Sequence, residues 1–314
     1  MVMRGQGRAE PAPPAAAAGL PRKALHHQYR YFFANEIICV TLPLFRFADK
    51  TFQAMAKLFQ ALNLTGFVLM VSTNYLAVSL PLNGQTPGEI SDRYPTLFTP
   101  AGFTFAIWSV IYVFLLVFSV AQSRGLFRRQ AAAPAVVRRI GPWFFLNAVT
   151  NAAWLFAWHF EQIGLAMAIM VAILATLVQI YTRTGIGHIR FSRREQWTVQ
   201  LPFSIYLGWI SVATIANAAV LLVDAGWTGG GLPPAVWTAA LLLTAMALGT
   251  WFLYRNGDVA YAMVLTWALF GIRTARQQDL PPQELVSWVA LGGIVVLIFL
   301  SLYLVLSGKE RLAD

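Results

Sequence analysis

Residues 97–112 read LFTPAGFTFAIWSVIY, and this stretch decides the class of the fold. Pro100 and Gly102 interrupt regular structure just before the chain becomes continuously apolar. The run from Phe103 to Ser123 carries no charge, and about twenty such residues are what an α-helix needs to cross a bilayer. The stretch therefore predicts a membrane helix whose entrance is shaped by a proline and a glycine.

Three aromatic side chains share one side of this predicted helix. Phe105, Trp108 and Tyr112 are spaced i, i+3 and i+7, so at 100° per residue they form a single stripe. Ordinary helix packing with an interfacial tyrosine explains one such stripe as well as a binding surface does. Matching stripes on two later helices favour the binding surface.

Composition places the chain among polytopic membrane proteins. Its 314 residues are 58% hydrophobic and 11% charged, which leaves too few polar side chains to cover a soluble globule. The net charge of +10 comes from basic residues between apolar segments, and no recognition motif accompanies them, so we exclude nucleic-acid binding. The single cysteine, Cys39, allows no internal disulfide and gives no metal-site spacing.

Eight apolar segments have about the length that a bilayer requires, and no strand pattern competes with them. They are residues 58–80, 103–123, 143–160, 162–182, 197–223, 234–254, 257–274 and 285–307. The third and the seventh are the short ones. We therefore predict an all-α, polytopic membrane helix bundle of about eight transmembrane helices.

Basic residues set the predicted orientation of these helices. Lysine and arginine concentrate before the first helix and in the second and fourth loops, whereas the first, third and fifth loops hold only Arg93. Under the positive-inside rule both termini are then cytoplasmic. Arg273 and Arg276 fall on the outer side and run against the rule. We expect a bacterial inner membrane rather than an organellar one.

Residues 1–56 differ from the rest of the chain. A Pro/Ala-rich run followed by a basic patch predicts a disordered or surface-lying leader. Residues 31–47 are short for a span and contain Glu36 and Pro43, so an interfacial helix is favoured there. Two origins stay open for the leader: an organellar transit peptide, or a start site placed too far upstream of Met55.

The third apolar segment repeats the aromatic stripe and adds carboxamides to it. The side chains that fall within about 40° of arc are Asn147, Asn151, Trp154 and Trp158. An amide that faces lipid is costly, so this side is expected to look into the bundle. For Asn147, hydrogen bonding that clamps two helices together is as good an explanation as a ligand contact.

The fifth segment has two different faces. One face carries Tyr206, Trp209, Ala213 and Asn217 at i, i+3, i+7 and i+11. The opposite side carries Ser204, Gly208 and Ser211, which are small enough to let another helix approach closely. The pattern predicts that one face packs against a helix and that the other lines a cavity.

At these positions the chain resembles the tryptophan-rich sensory protein family, whose mitochondrial members are the translocator proteins. The motifs are FTPAGFTF and IWSVIY in the second segment, NAAW in the third and YLGWISVATIAN in the fifth. The similarity covers about residues 58–223, five helices in the family order. It implies a five-helix bundle that binds porphyrins in a pocket under the loop between its first two helices.

The resemblance also implies roles for single residues. Trp108, Asn151, Trp154, Trp209 and Ala213 would line the pocket, Phe105 and Asn147 would flank it, and residues 81–102 would form its lid. The sterol-recognition pattern of animal members is missing after Asn217, so cholesterol is not the expected ligand.

The resemblance divides the chain into a leader at residues 1–56, a translocator-protein-like core at 57–223 and a three-helix extension at 224–314 with a short cytoplasmic tail. In the extension, Asp258 follows Arg255 and Asn256 at a short turn. A solvated hairpin is the simplest expectation for this carboxylate.

Three classes of function stay open at this point. The leading one is an integral membrane binding or sensory protein for a planar apolar ligand, with a porphyrin or related tetrapyrrole favoured, because flat rings stack on indoles while polar edges meet amides. The alternatives are an eight-helix small-molecule permease and an intramembrane enzyme acting on a tetrapyrrole. No catalytic or metal-binding motif is visible, and no cofactor is required. The lipid bilayer and a small apolar ligand are the expected partners, and a homodimer stays open.

Overall fold

The computed structural model describes residues 22–80, 82–127 and 133–307, with side chains described from residue 51 onward. Within this part of the chain the structure contains helices and no strands, which confirms the predicted all-α class. In chain order the α-helices are α1 (Arg22–Ser79), α2 (Pro87–Asp92), α3 (Ile107–Gln122), α4 (Ala135–Ile140), α5 (Trp143–His159), α6 (Ile163–Thr184), α7 (Arg193–Glu195), α8 (Leu201–Asp224), α9 (Pro234–Asn256), α10 (Val259–Gln278) and α11 (Glu284–Leu306).

Each of the eight predicted segments contains one long helix, but not all of them have the properties of a membrane span. Among the described residues, six helical stretches are long and apolar enough to cross a bilayer: Thr51–Ser79, Gly102–Gln122, Ile163–Thr184, Arg193–Asp224, Pro234–Asn256 and Glu284–Leu306. Helix α5 has only 17 residues, and α10 ends in the polar sequence RTARQQ. The predicted polytopic membrane helix bundle is confirmed, and in the described part of the chain six of its helices have spanning length and composition.

The entrance to α3 is an element of its own. Residues Gly102–Ala106 form a 3₁₀ turn that leads directly into the helix, and Pro100 precedes it. Proline and glycine are the residues that most often interrupt regular helices. The shaped entrance that the sequence predicted is therefore confirmed.

Helix α8 is the centre of the bundle. Every residue from Pro202 to Val212 is buried, and the helix contacts α3, α6 and α10. A helix that is apolar and buried on all sides is typical of the middle of a large helical protein. Around it, α5 with α6 and α10 with α11 form hairpins of neighbouring helices.

The small-residue face of α8 packs against α10. A Cβ atom added at Gly208 would lie 3.0 Å from the carbonyl oxygen of Tyr261 and 3.1 Å from Cβ of Val264. The Tyr261 hydroxyl also donates to Ser211 Oγ at 2.9 Å. Small residues commonly allow such close approach between membrane helices. The predicted packing face is confirmed, and the extension joins the bundle through it.

Asp258 is buried, so the expectation of a solvated hairpin was wrong. The residue is 1% exposed, and its carboxylate accepts a hydrogen bond from the Tyr261 N–H at the start of α10, at 3.0 Å. It also accepts hydrogen bonds from the hydroxyls of Tyr181 at 2.8 Å and Ser204 at 2.5 Å. The sequence could not indicate this because the partners come from α6 and α8, far along the chain.

Contacts group the chain into two units, residues 1–55 and 56–314. The Pro/Ala-rich run of the predicted leader lies outside the described residues. From residue 22 the backbone of the first unit is helical, and the interfacial helix expected at residues 31–47 lies within α1. All residues of the candidate site belong to the second unit.

Candidate functional site

A cavity of about 700 Å³ lies among α1, α3, α5 and α8 and the segment that joins α1 to α3. The described residues that line it fall between Val71 and Val220. Trp108 of α3, Trp154 of α5 and Trp209 of α8 all line this cavity. With Trp158, which also belongs to α5, four indoles from three helices line one cavity.

The structure places the nine predicted site residues in two groups. The lining of the cavity includes Phe105, Trp108, Trp154, Trp209, Ala213 and Asn217. The remaining residues lie between helices and away from the lining, and they are Asn147, Asn151 and Tyr206. Within the predicted lid, residues of α2 together with Thr99, Pro100 and Gly102 line the cavity, whereas Pro81 lies outside the described residues.

The aromatic rings on the α3–α8 side of the cavity contact one another. Trp209 is 3% exposed and meets Phe105 and Trp108 edge to face, with ring centroids 6.0 and 6.2 Å apart. Trp108 in turn stacks on Tyr112, with centroids 5.6 Å apart and planes inclined by 22°. Edge-to-face and offset-stacked pairs are the favourable ring geometries, so this wall is well packed.

The two indoles of α5 contact each other and form hydrogen bonds to α8 and to the lid. Trp154 and Trp158 stack with ring centroids 5.4 Å apart. Trp154 Nε1 donates to Asn217 Oδ1 on α8 at 3.2 Å, and Trp158 Nε1 donates to the carbonyl oxygen of Pro87 in the lid at 3.1 Å. The stripe on α5 thus holds both α8 and the lid in place.

A hydrogen-bonded network lies behind the lining residues. Asn74 Nδ2 donates to Asn151 Oδ1 at 2.9 Å, and Asn151 Nδ2 donates to the Tyr206 hydroxyl at 3.0 Å. The Tyr206 hydroxyl is 3.9 Å from the sulfur of Met70. Asn74 itself lines the cavity. Sequence reasoning missed Asn74, and its one signal was a carboxamide within the apolar part of α1.

Asn147 contacts α6 instead of the cavity. Its Nδ2 donates to Thr176 Oγ1 at 2.9 Å and to the carbonyl oxygen of Ile173 at 3.2 Å. Hydrogen bonds of this kind hold membrane helices together. Of the two explanations that the sequence left open for Asn147, the structure supports the interhelical clamp.

Two buried polar atoms on lining residues have no hydrogen-bond partner within the described chain. They are the Nε1 atom of Trp209 and the hydroxyl oxygen of Tyr112. Buried polar groups in native proteins are nearly always hydrogen-bonded, so these two unpaired groups are exceptions, and both belong to residues of the cavity wall. Tyr112 belongs to the stripe seen in the sequence but was not among the predicted site residues.

The lid is built around α2. Thr86 caps this helix, and its side-chain oxygen accepts a hydrogen bond from the Glu89 N–H while the Glu89 carboxylate accepts one from the Thr86 N–H. Hydrogen bonds from the Thr86 backbone and then from its side chain lower the pKa of Glu89. The Glu89 carboxylate therefore stays charged, and the cap stays formed, at neutral pH.

Residues on both sides of α2 fasten the lid to the end of α5 and to the turn that follows it. Arg93 forms an ion pair with Glu161, and the Tyr94 hydroxyl donates to the same carboxylate at 3.3 Å. Burial, and next the charge of Glu161, raise the pKa of Tyr94, so this hydroxyl keeps its proton. Asn83 adds a hydrogen bond from its Nδ2 to the carbonyl oxygen of His159 at 3.1 Å.

The cavity is almost free of formal charge. Among its described lining residues, Asp92 in the lid is the one charged side chain. Within the same part of the chain, no group of three His, Cys, Asp or Glu side chains is placed to hold a metal ion. The lining can therefore bind a ligand by ring stacking and by hydrogen bonding.

Comparison with known proteins decides the family. The model of the TSPO-like protein family matches residues 60–303, most of the chain. The chain belongs to the TSPO-like protein family. No curated protein and no solved structure matches it.

The family match in this TSPO-like protein covers more than the motifs that suggested it. It includes every described residue that lines the cavity, and it continues beyond residue 223 through α9, α10 and most of α11. The translocator-protein resemblance of the sequence is confirmed. This chain is an integral membrane protein of the TSPO type.

Proposed function

We propose that this TSPO-like protein binds a planar, largely apolar ligand, a porphyrin or related tetrapyrrole, in the cavity between α1, α3, α5 and α8. The observation that carries the proposal is the convergence of four indoles, from three helices, on one cavity of about 700 Å³. That volume lies within the usual range for small-molecule sites, about 300–1,000 Å³. Flat conjugated rings are the ligands that such a wall favours, because they stack against indoles over a large area.

The polar groups at the cavity suggest how the ligand is oriented. Trp209 Nε1 and the Tyr112 hydroxyl are the unpaired groups on its wall, so an acceptor atom of the ligand is expected near them. Asp92 carries the one charge in the described lining, and it disfavours an anionic group beside the lid. We therefore expect the acidic edge of a tetrapyrrole to point away from α2.

A titration of the purified protein tests the proposal. Protoporphyrin IX and heme are added in detergent while tryptophan fluorescence is followed, and saturable quenching is expected because four tryptophans line the cavity. N-acetyltryptophanamide in the same detergent controls for absorption of light by the porphyrin. Quenching that follows the free tryptophan control, with no saturation, would rule out the proposed site.

Replacing Glu161 with glutamine is expected to loosen the lid without destabilising the bundle. The side chains of Arg93 and Glu161 are 47% and 33% exposed, and partly exposed ion pairs contribute about 0–1 kcal/mol to the free energy of unfolding. Release of bound protoporphyrin should accelerate, as measured by stopped-flow fluorescence, while the melting temperature stays nearly constant. Glu195→Gln is the matched control, because Glu195 caps α7 away from the cavity. Equal release rates in wild type and Glu161→Gln would show that this ion pair does not restrain the lid.

A further inference from the structure

Helix α10 lies directly against the entrance to α3. The Ala101 N–H donates to the carbonyl oxygen of Gly271 at 3.1 Å, and Trp267 Nε1 donates to the carbonyl oxygen of Thr104 at 3.0 Å. The ring of Phe103 meets the ring of Trp267 edge to face, with centroids 5.5 Å apart. Two backbone groups and one ring of the entrance are therefore held by a helix of the C-terminal region.

The closest of these contacts depends on a missing side chain. A Cβ atom at Gly271 would lie 2.0 Å from Thr104 Oγ1, 2.8 Å from its Cγ2 and 2.9 Å from its Cβ. Thr104 is fully buried, and its β-branched side chain is short and has few rotamers, so it cannot turn aside freely. Only glycine at position 271 lets α10 and the entrance come this close.

The same entrance segment forms part of the cavity wall. Gly102 and Phe105 line the cavity, and Thr104 between them points to α10. Phe105 also contacts Trp209 across the cavity wall. Helix α10 contributes no described lining residue. A 3₁₀ turn of five residues nevertheless connects the contacts with α10 to the lining residues.

We propose that α10 is a positioning element for the cavity, and that Gly271 and Trp267 set the place of the Gly102–Phe105 wall. Helix α10 thereby controls the width of a cavity to which its described residues contribute no side chain. The effect of α10 on ligand affinity rests on the proposed function. The effect of α10 on the width of the cavity rests on the contacts alone, so the two effects are measured separately.

The width is measured with a thiol placed in the cavity. Ala216 lines it and is half-buried, so Ala216→Cys in a Cys39→Ser background gives a single reporter for a small methanethiosulfonate reagent. Gly271→Ala should push the Thr104 turn into the cavity and slow the labelling by about tenfold, since overpacking by one methyl group at this distance must displace backbone. Thr104→Ala added to Gly271→Ala removes two of the three clashing atoms and should restore much of the rate.

Trp267→Phe tests the hydrogen bond from Trp267 to Thr104, and here the labelling rate is expected to rise instead of fall. It keeps a ring against Phe103 but removes the donor to the Thr104 carbonyl oxygen. The wall should then move more freely, and the labelling should become faster than in wild type. This variant also decides the proposal if Gly271→Ala fails to fold.

A glycine at another helix contact serves as the matched control. A Cβ atom at Gly249 of α9 would lie 2.8 Å from Leu297 Cδ2, which is also a clash, though a milder one than the 2.0 Å contact at Gly271, and it lies away from the entrance. Gly249→Ala should leave the labelling rate of the reporter unchanged. Equal labelling rates in wild type, Gly271→Ala and Trp267→Phe would overturn the proposal. A labelling rate that changes to the same extent in Gly249→Ala as in Gly271→Ala would overturn it too.

Binding of protoporphyrin IX is then measured in the same variants without the reporter. Gly271→Ala is expected to weaken it about tenfold through the narrowed wall, and Gly249→Ala is expected to leave it unchanged. If wild type shows no saturable binding, the proposed function fails, while the labelling rates still decide whether α10 positions the wall. If labelling changes and affinity does not, the positioning of the wall holds and its effect on the ligand is refuted.

Discussion

Trp209→Ala is expected to weaken protoporphyrin binding by about 1–3 kcal/mol, the value of removing one large buried ring from a stacking surface. Trp209 is 3% exposed and lines the cavity. It also contacts Phe105 and Trp108, so its loss removes one ring contact from each of them. The dissociation constant measured by fluorescence titration should rise by about fivefold to 150-fold.

The matched control for this prediction is Trp251→Ala. Trp251 is 59% exposed on α9 and is absent from the lining of the cavity. Its replacement removes the same side chain but should leave porphyrin affinity at the wild-type value. Both variants are checked for retained helix content by circular dichroism. Equal affinities in wild type and a folded Trp209→Ala protein would show that the ligand does not occupy this cavity.

Asp258→Ala is expected to cause the largest loss of stability. The carboxylate is acceptor for the hydroxyls of Tyr181 and Ser204 and for the N–H of Tyr261. Its removal leaves these buried donors unpaired, at about 1–3 kcal/mol for each. The free energy of unfolding should fall by about 3 kcal/mol or more, measured by titration with sodium dodecyl sulfate in mixed micelles.

Asp279→Ala provides the comparison for Asp258. Asp279 pairs only with Arg276 in the described contacts, at 3.3 Å, and its side chain is 30% exposed. The loss of such a pair is expected to cost less than about 1 kcal/mol. A permease with its pathway through the last three helices predicts a different result for Asp258→Asn, namely lost transport with stability unchanged. Stability equal to wild type in Asp258→Ala would contradict the structural role of this carboxylate.

Much of the helical architecture follows from local properties of the chain. The apolar run after Phe103 and its proline and glycine approach predicted a helix with a distinct entrance, and the structure has a 3₁₀ turn followed by α3 at that place. Hydropathy depends on neighbouring residues only, so the positions of the long helices could be predicted. Hydropathy did not distinguish the six helices of spanning length and composition from α5, which is shorter, and α10, which ends in polar residues; both pack against neighbouring helices.

The candidate site could be predicted in part. Periodicity placed Trp154 on the same side of α5 as Asn147, yet Trp154 lines the cavity and Asn147 contacts α6. The reason is that helices cross at an angle, so residues two turns apart on one side of a helix meet different neighbours. Asn74 was missed because it stands apart from the aromatic stripes, and its partner Asn151 is 77 residues away in the chain.

The sequence by itself determined the class of the protein, the positions of its helices and the side of each helix that carries rings and amides. These properties depend on composition and on spacing along one helix. Only the tertiary structure decided that Asp258 is buried, that Asn147 is a clamp and that α10 holds the entrance to α3. Each of those contacts joins residues that are far apart in the chain, such as Gly271 and Thr104. These contacts depend on how closely two helices approach each other, and the residue pattern of a single helix does not determine that distance.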